Sequence, residues 1–447
     1  MTEGDDRQIP AAQNPEHLAD LEISDAKNWA AGLPGVVAAF SDILKETGVV
    51  RGFKGLFKMN QKGGFDCSSC AWPDEDGHRS RIAAYCETGA KALAEEATTK
   101  KLTADFFAKN SLADLVKLSD MEIGKKGRIA QPVYLPLNGT HFEPISWDDA
   151  YRKIANTLNG LNSPDEAAFY TSGRLSNEAS FMYQLFVREF GTNNMPDCSN
   201  MCHESSGVAL KETIGFGKGT ITLKDFEQTD VILMMGINPA TNMPRMLDSL
   251  EKAKAKGAKI IAINPLLEAG LIGFNDPQTL KGIAGSLINK SSTKIADLYL
   301  QIRINGDMAL IQALEKLLFQ AELENPGTVF DQTFIRENTV GYEGLKAHLD
   351  QYPIEELAAA AGISTEQLSI AAEMIRGKKR IIICWAMGVT QHTNGVDTIR
   401  EMVNLILLKG ALGKPGSGLC PVRGHSNVQG NRTMMIWEKP PAWYLDK

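Results

Sequence analysis

The sequence has no apolar run long enough to cross a membrane: even VNLILLKGAL is broken by Lys409, short of the ~20 apolar residues that a spanning helix needs. It has no excess of positive charge. Its 47 Lys and Arg against 54 Asp and Glu leave a net charge of -7, which argues against the basic face that nucleic-acid binding uses. The first residues, MTEGDDRQIPAAQNPEHLADLE, contain neither the hydrophobic segment of a secretory signal nor a twin-arginine pair. A cytoplasmic location is therefore expected, with a loose leader. There is no internal repeat and no low-complexity tract. Cysteine is scarce: the chain has seven, an odd number, and they fall in groups. In a reducing compartment that pattern favours metal or redox chemistry over a disulfide framework.

What is present is ordinary for a globular protein, with 43% hydrophobic and 23% charged residues over a 447-residue chain, long enough for two or three domains. Ser146 is placed to cap a helix, WDDAYRKIANTLNG, whose acidic first turn suits the helix dipole. AAFYTSG reads as a short strand, and NEASFMYQLFVREFG as an amphipathic helix closed by Gly191. The clearest unit is VILMMG, a continuous apolar strand, then PRMLDSLEKAKAKG, a helix ended by Gly257, then AKIIAIN. This strand, helix and strand form a βαβ crossover and imply a buried parallel sheet. The alternation continues through ADLYLQIRI, GDMALIQALEKLLFQAEL, a helix opened by a capping box from Ser364 to Gln367, RIIICWAMG and GVDTIREMVNLILLKGALG. The expected fold is α/β, with a doubly wound parallel sheet over residues 198–425 and a cysteine-bearing segment in front. Ligands of such sheets lie beyond the carboxyl ends of the strands. The loops 236–244, 264–270, 305–307 and 388–395 are the expected binding rim. GFGKGT at 215–220 lacks the final pair of a Walker loop and reads as noise.

Three clusters carry chemistry-bearing residues. In FDCSSCAWPDEDGHRSRIAAYCETGAK, Cys67 and Cys70 form a C-x-x-C, and Cys86 follows. Cys67, Cys70, His78 and Cys86 would make a tetrahedral zinc site; the three cysteines with one further ligand would hold an iron–sulfur cluster; buried thiols are the third reading. In DCSNMCHESSG, Cys202 is followed by His203 in a polar, small-residue setting unlike a core. Three readings stand: a catalytic thiolate with histidine as base, a metal ligand, or a redox pair with Cys198. In PVRGHSNVQGNR, Arg423 is a natural clamp for an anionic substrate, or else a surface ion pair.

Taken in order, FDCSSCAWPD, PISWDDA, SGRLSNE, GTNNMPDCSNMCHESSG, MGINPATNMP, WAMGVTQHTNGVDTIR, GALGKPGSG and PVRGHSNVQGNR resemble the molybdopterin oxidoreductases, and within them the FdhF/YdeP-type group related to formate dehydrogenase. The resemblance runs from about Gly64 to the C-terminus. It implies the formate dehydrogenase/DMSO reductase-like fold and a Mo-bis(molybdopterin guanine dinucleotide) cofactor, with molybdenum or tungsten as the metal. It also implies a 4Fe-4S cluster on Cys67, Cys70 and Cys86, and two-electron redox of a small substrate such as formate, with electrons leaving through the cluster to an electron-transfer partner that the sequence does not name.

By the same resemblance Cys202 is the ligand of the molybdenum. His203 serves proton transfer, as an imidazole that titrates near neutral pH, and Arg423 holds the substrate. His425 falls where formate dehydrogenases keep a glutamine beside the substrate. Lys91 answers to the lysine between cluster and pterin, and Asp74 stands where the cysteine box has a further cysteine. Cys198 reads as structural. Pterin and dinucleotide fall to Gly236, Asn238, Pro239, Asn264, Gly306, Asp307, Met387, Gly388 and Gln391. The implied division is an N-terminal extension at 1–60, the first part of an iron–sulfur small domain at 61–144, the first part of a flanking α/β domain at 145–197, the dinucleotide-binding α/β domain at 198–425, and the start of a return segment at 426–447. The C-terminal β-barrel domain is expected to be absent. The contrasting expectation is a non-catalytic metal-binding or cofactor-scaffold remnant of such an enzyme.

Overall fold

The computed structural model describes residues 25–75, 84–440 and 442–445. At its centre lie five parallel strands: β1 (Val231–Met235), β2 (Lys259–Ile263), β3 (Leu298–Leu300), β4 (Ile381–Trp385) and β5 (Gly418–Pro421). Their spatial order is β3-β2-β1-β4-β5. The register pairs Val231 with Lys259 and Ile381, and Cys384 with Cys420.

Strands β1 and β4 are apolar without alternation because both of their faces are covered; all five residues of each are buried. Val231, Leu233, Met235, Ile383 and Trp385 face helices Asp307–Glu324 and Gly395–Leu408. Ile232, Met234, Ile382 and Cys384 face helix Met246–Ala255 together with Trp72 and Phe226. This period-two division of a continuous apolar run is what makes a three-layer α/β sandwich.

The local signals read from the sequence are present. Ser146 accepts from the Asp149 amide at the start of helix Trp147–Asn159. Gly191 closes helix Asn177–Phe190 at φ 105°. Ser364 and Gln367 cap each other's backbone. GFGKGT is a loop that covers the edge of β5, with the Thr220 amide donating to Leu419 O over 2.9 Å.

Three stretches differ from the sequence reading. AAFYTSG is not a strand: only Thr171 makes an isolated bridge, to Asp197. The Phe169 amide bonds Asn194 O instead, so no neighbouring strand offers a ladder. The stretch 25–60, expected as an extension, is packed. Ala30–Ala31 pairs with Phe274–Asn275, and helix Gly32–Thr47 buries Ala39 and Ile43 against Leu56, Ala90 and Ala94. Finally, helices Gln332–Asn338, Tyr342–Asp350 and Ile354–Ala361 fill a region where the pattern gave no signal. Among the described residues, no helix is long and apolar enough to cross a membrane.

Candidate active site

The strand order reverses between β1 and β4, and a parallel sheet opens a crevice at that point beyond its carboxyl ends. Gly236 ends β1 at φ 55°, and Asn238 caps the short turn begun by Pro239. Asn264 follows β2, while Gly306 and Asp307 begin the helix after β3. Met387 and Gly388 follow β4, and Met387 is exposed. The Gly388 amide donates to Gly236 O over 3.1 Å. The fold therefore gathers these residues, far apart in the chain, along one edge of the sheet.

Cys202 lies on that edge, at the end of the short helix Cys198–Cys202, whose N-cap Asp197 is fully buried. Its carbonyl accepts from Thr390 Oγ1 at 2.6 Å and from Gln391 Nε2 at 3.2 Å. Gln391 thus fastens the Cys202 turn to the loop after β4. Burial pushes the Cys202 thiol up, opposed by the Gly424 amide and by the Arg423 guanidinium. Cys198, also buried and raised to about 11 by burial, receives the Gly173 amide at 3.0 Å, a structural contact.

His203 is buried. Its Nε2 lies 3.0 Å from Val422 O and its Nδ1 2.9 Å from Ser206 Oγ, which in turn accepts from the Trp385 indole at 2.9 Å. A carbonyl only accepts, so Nε2 carries the hydrogen and Nδ1 takes one from Ser206. Burial, and then Arg423, hold its pKa down at about 3. This direction runs against the titration near neutral pH expected from the sequence. Both ring nitrogens are occupied and the imidazole stays neutral.

Arg423 follows β5 and is 7% exposed. It donates to Pro421 O and Gly217 O, each at 3.2 Å. Among the described residues no carboxylate pairs with it. His425 is half-buried, with Nδ1 unpartnered, and burial and Arg174 lower its pKa.

Cys67, Cys70 and Cys86 border a cavity of about 660 Å³, shared with Asn60, Arg174, Arg245 and Ser426. Asn60 shapes its wall, receiving the Cys67 amide at 2.9 Å and donating to Ala84 O at 2.7 Å. Burial raises all three thiols, Cys86 to about 11. A Cβ on Gly89 would come within 3.0 Å of Cys67 Sγ and 3.7 Å of Cys86 Sγ, so a glycine keeps that space open. Among the described residues no three His, Cys, Asp or Glu side chains converge as ligands of one metal ion. His78 lies outside the described residues. Asp74 is ion-paired with Arg245, and Lys91 is exposed and does not border this cavity.

Residues 128–436 match the molybdopterin oxidoreductase family. The chain belongs to that family. It is 50% identical over 440 residues to an uncharacterized oxidoreductase of Mycobacterium bovis, covering 97% of this chain and 56% of that one. It is 42% identical over 428 residues to the YdeP protein of Escherichia coli, again covering 56% of its length. The alpha subunit of a formate dehydrogenase of Methanococcus maripaludis is 34% identical over 309 residues, 69% of this chain and 41% of that subunit. The chain thus spans a little over half the length of the first two of these relatives and less than half of the third. Acetylene hydratase from Pelobacter acetylenicus has a similar fold, with a TM-score of 0.52 at 21% identity, over 65% of this chain and 37% of its own.

The supports of the site were less legible than its reactive groups. Arg432 reaches Asp197 at 3.5 Å, Glu204 at 2.9 Å and Glu438 at 3.7 Å, so it holds both flanks of Cys202–His203. Its place within PVRGHSNVQGNR was the only signal. Ser206, within DCSNMCHESSG, and Trp385, which opens WAMGVTQHTNGVDTIR, fix the histidine and had no more signal than that.

Proposed function

We propose that this chain forms the catalytic part of a formate dehydrogenase-like enzyme that oxidises or reduces a small anion by two electrons. One observation carries the reading: a buried guanidinium, Arg423, with no carboxylate partner among the described residues, beside the Cys202 thiol. A buried cation without a counter-ion is costly, and a bound anion removes that cost with charge-assisted hydrogen bonds.

The residues fit the group that the family implies. Cys202 offers a soft thiolate for molybdenum, and the crevice where Gly236 meets Gly388 lets a pterin dinucleotide approach bare backbone. When bound, the molybdenum–pterin group supplies the two-electron chemistry, with the protein providing position and field. Asn264, Gly306 and Asp307 would hold the guanine dinucleotide. Arg423 orients the anion by its fork of N–H groups. His203, fixed as a neutral donor to Val422 O, keeps the strand end that carries Arg423 in register with Cys202. His425 Nδ1, lacking a protein partner, is free to bond a small substrate or its water.

An iron–sulfur cluster is assigned to the cavity of about 660 Å³ that Cys67, Cys70 and Cys86 border, a space wide enough for more than one metal ion. Asp74 is engaged by Arg245, so the fourth ligand would be another group. Such a cluster would carry electrons to a redox partner.

The test is anaerobic purification of the holoprotein, with Mo, Fe and Zn measured per chain and formate-dependent dye reduction. Arg423→Gln should raise the KM for formate by about 10²-fold or more, the loss of ~3 kcal/mol expected for a charge-assisted pair. Stoichiometric zinc without iron or molybdenum would sink the reading and favour a scaffold, whereas turnover with an unchanged KM in the variant would remove Arg423 from the substrate site.

A further inference from the structure

Cys384 and Cys420 stand opposite each other in the register of β4 and β5. Both are free thiols, and after burial it is the neighbouring Cys420 thiol that raises Cys384. Neighbouring strands lie about 4.8 Å apart, and a disulfide spans Cα atoms about 4.4–6.8 Å apart, so a bond needs little movement of the sheet. The two side chains share one face: Cys384 belongs to the cluster with Trp72 and Phe226, and Cys420 packs against it. They differ in access. Cys384 is fully buried, whereas Cys420, on the edge strand, is partly exposed.

We propose that Cys384 and Cys420 are a reversible redox pair that peroxide oxidises to a disulfide across β4 and β5. Cys420, the accessible thiol, attacks the O–O bond of hydrogen peroxide as its thiolate. The bond breaks, one oxygen stays as the sulfenic acid, and the other leaves as hydroxide that takes up the thiol's proton to become water. The Cys384 sulfur then attacks the sulfenic sulfur. The S–O bond breaks, and that oxygen leaves as water with the Cys384 proton. Two thiols lose two electrons and two protons, and one peroxide becomes two waters.

Burial holds the Cys384 thiol well above its ordinary range, which keeps it inert to oxidants in solution. Its contact with Cys420 makes the second step intramolecular, and proximity replaces thiolate character. The bond would lie beneath the active-site edge. Trp385, next to Cys384, holds Ser206, and Pro421, next to Cys420, holds Arg423 through its carbonyl. The pair does not depend on the substrate or cofactor proposed above.

The test treats the full chain with stoichiometric hydrogen peroxide, blocks free thiols by alkylation under denaturing conditions, and maps peptides by mass without reductant. The expected product is a Cys384–Cys420 cross-linked peptide, two hydrogens lighter than its parts and released by dithiothreitol. In Cys384→Ser the bond cannot close, so Cys420 should accumulate as a sulfenic acid that dimedone traps. Cys420→Ser should leave Cys384 fully alkylated, and circular dichroism would confirm that both variants fold. Cross-links confined to Cys67, Cys70 and Cys86, or a Cys420 that is modified while Cys384 stays a thiol, would overturn the proposal.

Discussion

Gly236 and Gly388 touch backbone to backbone across the point where the strand order reverses. A Cβ on Gly388 would lie 2.6 Å from Gly236 O, and one on Gly236 would lie 2.7 Å from Gly388 C. Neither neighbour is a flexible side chain that could swing away, so the contact demands two glycines. It also sets how far the loops after β1 and β4 stay apart, and hence the width of the crevice.

Gly388→Ala should therefore cost about 1–3 kcal/mol, the usual price of forcing a methyl into a packed site. Gly236→Ala should cost about 1 kcal/mol more, because its backbone is left-handed. Urea unfolding of both variants checks this, and unchanged midpoints would mean that the loops can part.

Asp307 is 4% exposed, and burial raises its carboxyl to about 7. Between its ordinary value and pH 7 the folded chain keeps a proton that the unfolded chain gives up. Stability contributed by this group is thus present at low pH and lost as pH rises through that window. The full shift would be worth about 4 kcal/mol, and the helix N-terminus, which favours the carboxylate, takes back up to about 1. Asp307→Asn should match the parent near pH 4 and be about 2–3 kcal/mol more stable at pH 8. Denaturant unfolding across pH measures it, and a gap independent of pH would contradict the assignment.

Arg432 is the counter-charge of Asp197, which is fully buried at the start of the Cys202 helix. Burial already raises the Asp197 carboxyl against the pull of Arg432. Arg432→Met should destabilise the protein by about 2–4 kcal/mol, since a buried carboxylate loses its partner. It should also speed alkylation of Cys202, whose helix loses an anchor. Thermal unfolding together with the Cys202 labelling rate tests this; a stability loss without faster labelling would make Arg432 only a distant brace.

Helix Trp147–Asn159 buries none of its residues, yet Trp147, Tyr151 and Ile154 are 62%, 61% and 55% exposed along one side. Phe181, Met182, Leu185 and Phe186 are likewise exposed on helix Asn177–Phe190. Apolar patches of this kind favour association. Tyr151→Lys with Ile154→Glu should lower concentration-dependent light scattering several-fold without changing the melting temperature. Equal scattering would place the association elsewhere.

The sequence by itself determined the alternation of strands and helices, since short apolar runs such as VILMM and IIICW, set between amphipathic helices and turn residues, read as strands covered on both faces, and Ser146, Ser364 and Gly191 mark helix ends by local chemistry. It also exposed the reactive groups, because Cys202-His203, Arg423 and the C-x-x-C of Cys67 and Cys70 are conspicuous where they stand. Tertiary structure alone decided what those groups are able to do. Whether His203 titrates depends on its burial and on Arg423, and its ring is oriented by Val422, Ser206 and Trp385, whose partnership with it is set by how β4 and β5 pair. The same pairing joins Cys384 to Cys420, two residues with no mark in the chain. AAFYTSG failed as a strand because a ladder needs a neighbour, and neighbours are not written locally. A side chain's propensity is a property of its own bonds, whereas its charge state, partners and reactivity come from the solvent it loses and the groups it meets on folding.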